Sequence, residues 1–282
     1  MSMSPHDQPP PPASAPVPPA QAPPAPSAEP PPALHLWGLS KAFGPKIAVN
    51  GISLAIPPGS SYGIVGPNGA GKTTSLLMAT GLLRPDHGTA FVHGVDIWAH
   101  PAVAKSDLGV LPDGMRLFDR LTGRELIVYA GLLRGMPPEL TRTRTEELLE
   151  VLDLTAAATT LVSDYSAGMR KKVALGCALI HAPRVLVLDE PFESVDPVSA
   201  GSIRVMLDDF IAGGGTVVLS SHVMDLVQRM CSHVAVISHG NLVAAGTVAE
   251  VSGGVDLETR FAQLVGAPEQ RGGLSWLRPS QH

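Results

Sequence analysis

The chain has 282 residues, with 20 Lys+Arg against 25 Asp+Glu, a net charge of −5. That balance carries no basic footprint for nucleic acid. Two cysteines, Cys177 and Cys231, make no disulfide framework and suit a reducing compartment. The first 33 residues are Pro/Ala/Gln/Ser with only Asp7 and Glu29 charged. Such a segment cannot bury enough apolar surface to offset its ordering entropy, so a disordered, partly polyproline II tail is expected. It has no basic n-region and no apolar h-region, so it does not read as a secretory signal. Removing its two acids from −5 leaves −3 for the body, whose length of roughly 250 residues suits one large domain or a domain with a subdomain.

In the body, residues 34–39 and 52–56 read as strands around a Gly/Pro/Asn loop. Residues 61–65 form a strand running into a Gly-rich turn, followed by a helix over 72–83. Residues 89–94 and 108–111 are further strands. Thr122-Gly-Arg-Glu125 is a capping box opening a helix that stops near Gly135. Pro137 and Pro138 precede a second helix over 139–152. No strand pattern occurs over 117–160, which predicts a helical insertion.

Beyond it come a helix over 167–180, a strand over 184–189, a helix over 197–211 and a strand over 216–220. A helix over 223–230, a strand over 234–237 and a hairpin at Gly240-Asn241 follow. Strand–helix–strand alternation predicts a parallel sheet covered on both faces. Val185-Leu-Val-Leu188 is continuously apolar, as a strand buried on both faces requires. The end of the chain has one helical stripe (Leu257, Phe261, Leu264, Val265) and then a polar stretch. The longest apolar runs reach about half of the ~18 residues that span a bilayer, so a membrane role would need another chain to supply the span.

Gly66-Pro67-Asn68-Gly69-Ala70-Gly71-Lys72-Thr73 fits G-x-x-x-x-G-K-[ST] between a predicted strand and a predicted helix. Triphosphate is strongly anionic. Gly69 and Gly71 let backbone N–H groups wrap toward its oxygens, and the helix start adds partial positive charge. Lys72 supplies a point charge for the β and γ phosphates, Thr73 a hydroxyl for Mg²⁺, and Thr74 one for the α phosphate. Mg²⁺ is a hard cation that needs oxygen ligands. Asp189, at the C-terminal end of the apolar strand, is the expected metal carboxylate, where open α/β sheets bind ligands. Glu190 follows directly and is placed to deprotonate an attacking water.

With these motifs in hand, Tyr165-Ser166-Ala167-Gly168-Met169, ahead of Asp189, resembles the signature sequence of the ATP-binding-cassette (ABC) ATPases, the motor subunits of ABC transporters. Ser194-Val-Asp196-Pro resembles that family's D-loop, and Ser220-Ser221-His222 its switch histidine. Phe43 sits where the family keeps an aromatic that stacks on adenine, with Trp37 as a rival. The resemblance spans about residues 34–266. It implies an α/β fold: a P-loop NTPase core with a mostly parallel sheet, an antiparallel β subdomain and a helical insertion over about 117–165. The ATPase domain would occupy 34–250 and a short extension 251–282.

The resemblance further implies a head-to-tail dimer, of identical or paralogous subunits, closed on two MgATP. Each nucleotide would lie between one chain's Lys72 loop and the other's Ser166, Ala167 and Gly168. A separate membrane permease would be the partner, on the cytoplasmic face of the membrane. Asp113 stands where the family usually has Gln; it can ligate Mg²⁺ or position water. Residues 117–125 resemble the branch whose permeases export. A soluble ABC ATPase acting on nucleic acid or the ribosome is the alternative. Such chains carry a long coiled coil or tandem cassettes, whereas here Lys72 and Asp189 are 117 residues apart in a single cassette.

Overall fold

The computed structural model describes residues 30–266. The expected Pro-rich tail lies almost wholly outside the described residues, as does the polar C-terminal end. Ala33 is already fully buried, and its N–H donates to the Ile56 carbonyl (2.9 Å).

Strands β1 (Leu34–Phe43) and β2 (Lys46–Ile56) form a hairpin around Gly44-Pro45. Both are longer than the sequence pattern suggests. Register shifts between Leu36 and Ala42, with Gly38 and Gly51 at positive φ, break the alternation that would reveal them. β4 (His87–Val92) pairs antiparallel with β1, and β5 (Val95–Asp96) with β4, giving an antiparallel sheet in the order β2-β1-β4-β5.

A second sheet is built from β3 (Ser61–Val65), β6 (Leu108–Leu111), β7 (Val185–Asp189), β8 (Thr216–Ser221), β9 (His233–Ser238) and β10 (Asn241–Thr247). Its order is β10-β9-β3-β8-β7-β6, and every pairing except β9–β10 is parallel. The crossovers are helical. Helix α1 (Lys72–Ala79) stops short of the expected end, because Thr80 Oγ1 donates to the Leu76 carbonyl (2.8 Å) and Gly81 turns at positive φ. The other helices are α2 (Pro101–Ser106), α3 (Gly123–Leu133), α4 (Pro138–Val151), α5 (Ala167–Leu179), α6 (Pro197–Ala212), α7 (Met224–Met230), α8 (Val248–Ser252) and α9 (Leu257–Val265).

The parallel sheet is covered on both faces. Val185 and Val187 of β7 pack with Ile64, Val218 and Ile237 beneath α1 and the antiparallel sheet. Leu186 and Leu188 face the other way, with Val65, Leu219 and Val236, toward α3–α7. The predicted insertion is present as α3 and α4 packed on α5. Its capping box is formed: Glu125 N–H donates to Thr122 Oγ1 (3.3 Å), and Thr122 N–H donates to Glu125 Oε2 (2.8 Å). The C-terminal stripe becomes α9. Leu257 of that helix is fully buried in the main core, and its N–H donates to Gln228 Oε1 (2.8 Å). Burial pushes the Cys177 and Cys231 thiols up to about 12. Among the described residues no helix is long and apolar enough to cross a membrane.

Candidate functional site

β3 ends at Val65 and the chain turns through 66–71 before α1 begins at Lys72. Two glycines in this loop are required by close packing. A Cβ on Gly66 would lie 2.2 Å from the Ile237 carbonyl oxygen, and one on Gly71 would lie 2.4 Å from that of Ala48. Gly71 also sits at φ +106, which L side chains avoid. The loop is pinned from the sheet by Gly240 N–H donating to the Ala70 carbonyl (2.9 Å). Lys72 is buried and folds back over the loop. Its Nζ donates to the Gly66 carbonyl (2.8 Å) and lies 4.0 Å from Glu190 Oε1. No acidic residue occupies the first turn of α1, so nothing there competes with a phosphate for the helix start.

Asp189 closes β7 and is 3% exposed. Its Oδ1 accepts a short hydrogen bond from Ser220 Oγ on β8, whereas Oδ2 is buried without a partner. A buried carboxylate oxygen left unpaired is costly, so this atom is suited to a ligand that the protein itself does not provide. Thr73 lines the cleft at the start of α1, so the expected donor set is one carboxylate and one hydroxyl. That fits Mg²⁺, which binds through one or two protein oxygens plus substrate phosphates. Glu190 sits at φ +48, a left-handed conformation unusual for a non-glycine residue. Its Oε2 lies 3.1 Å from His222 Nδ1.

A cleft of about 450 Å³ joins these parts. It is lined by Asn68, Gly69, Ala70, Gly71, Lys72, Thr73 and Thr74 of the loop and helix start, and by Glu190, His222 and Asp113. Phe43, half exposed at the β1–β2 turn, also lines it, with Lys41 Nζ 5.8 Å from its ring centroid. Trp37 does not line this cleft. It makes an edge contact with His35 on the antiparallel sheet. Gly66 and Pro67 contribute carbonyls behind Lys72, and Asp189 lies beneath the surface.

Four candidate residues stand apart from the cleft. Ser166 caps α5 by accepting from Met169 N–H (3.2 Å), and Gly168 lies near the Ser194 carbonyl. Ala167 lines a second groove of about 340 Å³, with Leu117, Arg170 and Lys171. Its φ is not positive, so a side chain at this position carries no backbone penalty. Asp196 caps α6 by accepting from Val198 N–H (3.1 Å) and Ser199 N–H (3.0 Å). Hydrogen bonds from Ser199 hold its carboxyl below the usual carboxylate range.

Several site residues escaped the sequence reading. Lys46 and Ala48, on β2, line the cleft, and Glu193 lines both the cleft and the second groove, as Asp113 does. Lys46 and Ala48 fall in a strand that the sequence pattern started six residues late. Glu193 lies three residues past Glu190, inside a stretch read only for its D-loop end.

The arrangement can bind a polyanion along the loop and flank its far end with a carboxylate and an imidazole. That is the layout for displacing a terminal phosphoryl group. Residues 49–193 match the sequence model of the ABC transporter family. The linearmycin resistance ATP-binding protein of Bacillus subtilis is 35% identical over 209 residues, 74% of this chain and 67% of that one. The daunorubicin/doxorubicin resistance ATP-binding protein of Streptomyces peucetius is 36% identical, over 78% of this chain and 66% of that one. The Nod factor export ATP-binding protein I of Rhizobium sp. N33 is 35% identical, over 76% and 71%. The chain thus spans about two thirds of the length of the first two relatives. Among solved structures, an ATP-binding subunit of an ABC transporter superposes with a TM-score of 0.77 at 24% identity, covering 82% of this chain and 99% of that one.

Proposed function

The chain belongs to the ABC transporter family as an ATP-binding subunit that hydrolyses ATP, and from that premise we propose that it powers export through a separate membrane permease. Export is favoured by what the relatives' names describe: resistance to linearmycin and to daunorubicin/doxorubicin, and Nod factor export. The permease would hold the specificity for what is moved. The chain would sit on the cytoplasmic face as a peripheral subunit.

The observation that carries the mechanism is the separation of two anion-seeking surfaces. The cleft gathers the Lys72 loop, Glu190 and His222, yet Ser166, Ala167 and Gly168 do not line it. A second copy, or a paralogous subunit, set head to tail would bring those residues to the nucleotide. ATP binds the closed pair more tightly than the open one, and this difference drives closure.

Within the cleft, Phe43 offers its face to adenine, and the loop N–H groups and Lys72 take the phosphates. Thr73 and Asp189 would hold Mg²⁺, with Asp113 beside them; when bound, the ion neutralises charge on the phosphates. Glu190 accepts a proton from the attacking water. His222, within hydrogen-bond distance of Glu190 here, would turn its ring N–H to the terminal phosphate. After hydrolysis the shared charge is split and the pair reopens. The slightly acidic body disfavours the alternative reading of a cassette acting on nucleic acid or the ribosome.

The test is steady-state phosphate release from MgATP, with molar mass by light scattering, for wild type and Glu190→Gln. The variant should bind nucleotide and accumulate as a dimer. Its turnover should fall about 10²–10⁴-fold, the range for losing a general base. Turnover near wild type would remove Glu190 from its role. A folded wild type that ignores MgATP would remove the reading altogether.

A further inference from the structure

Strands β7 and β8 run parallel with Asp189 directly beside Ser220. Ser220 is fully buried, in a strand that otherwise contributes Val217, Val218 and Leu219 to the core. A hydroxyl has one proton to give and two lone pairs. The Ser220 proton goes to Asp189 Oδ1, and one lone pair accepts the backbone N–H of Glu190 (3.0 Å). The neighbouring Ser221 does something else: its Oγ accepts from Val223 N–H (3.0 Å) at the start of α7.

We propose that Ser220 is a positioning residue for ATP hydrolysis, fixing Asp189 and Glu190 relative to each other through one oxygen atom. The proposal rests on the functional reading above. Ser220 engages one oxygen of Asp189, and Oδ2 is the carboxylate oxygen left without a partner. The same hydroxyl ties down the Glu190 N–H, at the residue whose backbone adopts φ +48. A non-glycine residue stays in that region only where its surroundings hold it there. The carboxylate that would face the metal and the one that would face the water are thereby set by a group that touches neither ligand. Removing the hydroxyl leaves Asp189 Oδ1 and the Glu190 N–H without their partner, and frees the carboxylate to turn.

A serine that merely joined two strands would alter stability and nothing else. The test is therefore a Mn²⁺ titration of the full-length protein with ATP, read by electron paramagnetic resonance, alongside kcat and KM for MgATP. Ser220→Ala should weaken Mn²⁺ about 10–100-fold, the usual effect of losing a group that orients a metal ligand, and lower kcat similarly. ATP affinity measured in chelator should be unchanged. Ser220→Thr, which restores the hydroxyl, should recover both quantities. If Ser220→Ala does not fold, Ser220→Cys keeps the volume with a weaker donor and should show the same direction of change. Wild-type Mn²⁺ affinity in a folded Ala or Cys variant overturns the proposal. So does a Thr variant as defective as Ala. A wild type that binds no Mn²⁺ with ATP would instead overturn the functional reading on which the proposal stands.

Discussion

Gly71 is held where no side chain fits, with the Ala48 carbonyl 2.4 Å from where a Cβ would be. The strain is doubled by φ +106. Gly71→Ala must push the loop off β2 and turn its N–H groups away from the phosphates. We expect at least about a tenfold loss of nucleotide affinity, the 1.4 kcal/mol that a misplaced hydrogen bond or two represents. Fluorescent-nucleotide titration would measure it, and undiminished affinity would show that the loop does not need this approach. At this scale the sequence was most readable where chemistry is contiguous. The loop 66–73 and the pair Asp189-Glu190 are each a short run whose residue types announce their use. Ser220 was not readable in the same way. Its role depends on the β7–β8 register across 31 positions, and a buried serine in an apolar strand looks like any other.

The capping box at Thr122 and Glu125 shows which elements could be delimited beforehand. Its two reciprocal bonds satisfy N–H groups that a helix start otherwise leaves open, so the boundary is written in side chains. Thr122→Ala should lower the unfolding free energy by about 1 kcal/mol. Urea denaturation would detect it as a lower midpoint at constant slope; an unmoved midpoint would mean that α3 is anchored by packing alone. The β1–β2 hairpin is the opposite case. Its bulges interrupt the two-residue period, so the pattern exposed only the inner halves of both strands. Lys46 and Ala48 were lost with the hidden half. α2 and α8 are one or two turns long, too short for a helical period to register.

For the molecule as a whole, the layered architecture was legible because both faces of the parallel sheet demand apolar residues. Val185 to Leu188 meets that demand in four consecutive positions. What the period cannot supply is the environment of a polar group caught between layers. His181, just past α5, accepts that cost: its Nε2 lies 2.9 Å from the Leu108 carbonyl and its Nδ1 is buried without a partner. Burial, with Arg134 and Arg144 nearby, pushes its pKa down to about 4 from 6.5. The folded state therefore binds fewer protons than the unfolded chain between those values. Stability is intact above about pH 6.5 and falls as the pH drops toward 4. His181→Gln should flatten melting temperature against pH in that window. A variant curve parallel to wild type would assign the acid sensitivity elsewhere.

Asp113 and Glu193 belong to two hollows at once: the cleft that would take the triphosphate, and the groove bordered by Arg170 and Lys171. The two chambers share a partition made of negative charge. Within a Debye length of about 8 Å at physiological salt, potential is only partly damped. Filling one chamber with an anion thus alters the electrical landscape of the other before any backbone atom shifts, and whatever rests in the groove feels the nucleotide through that wall.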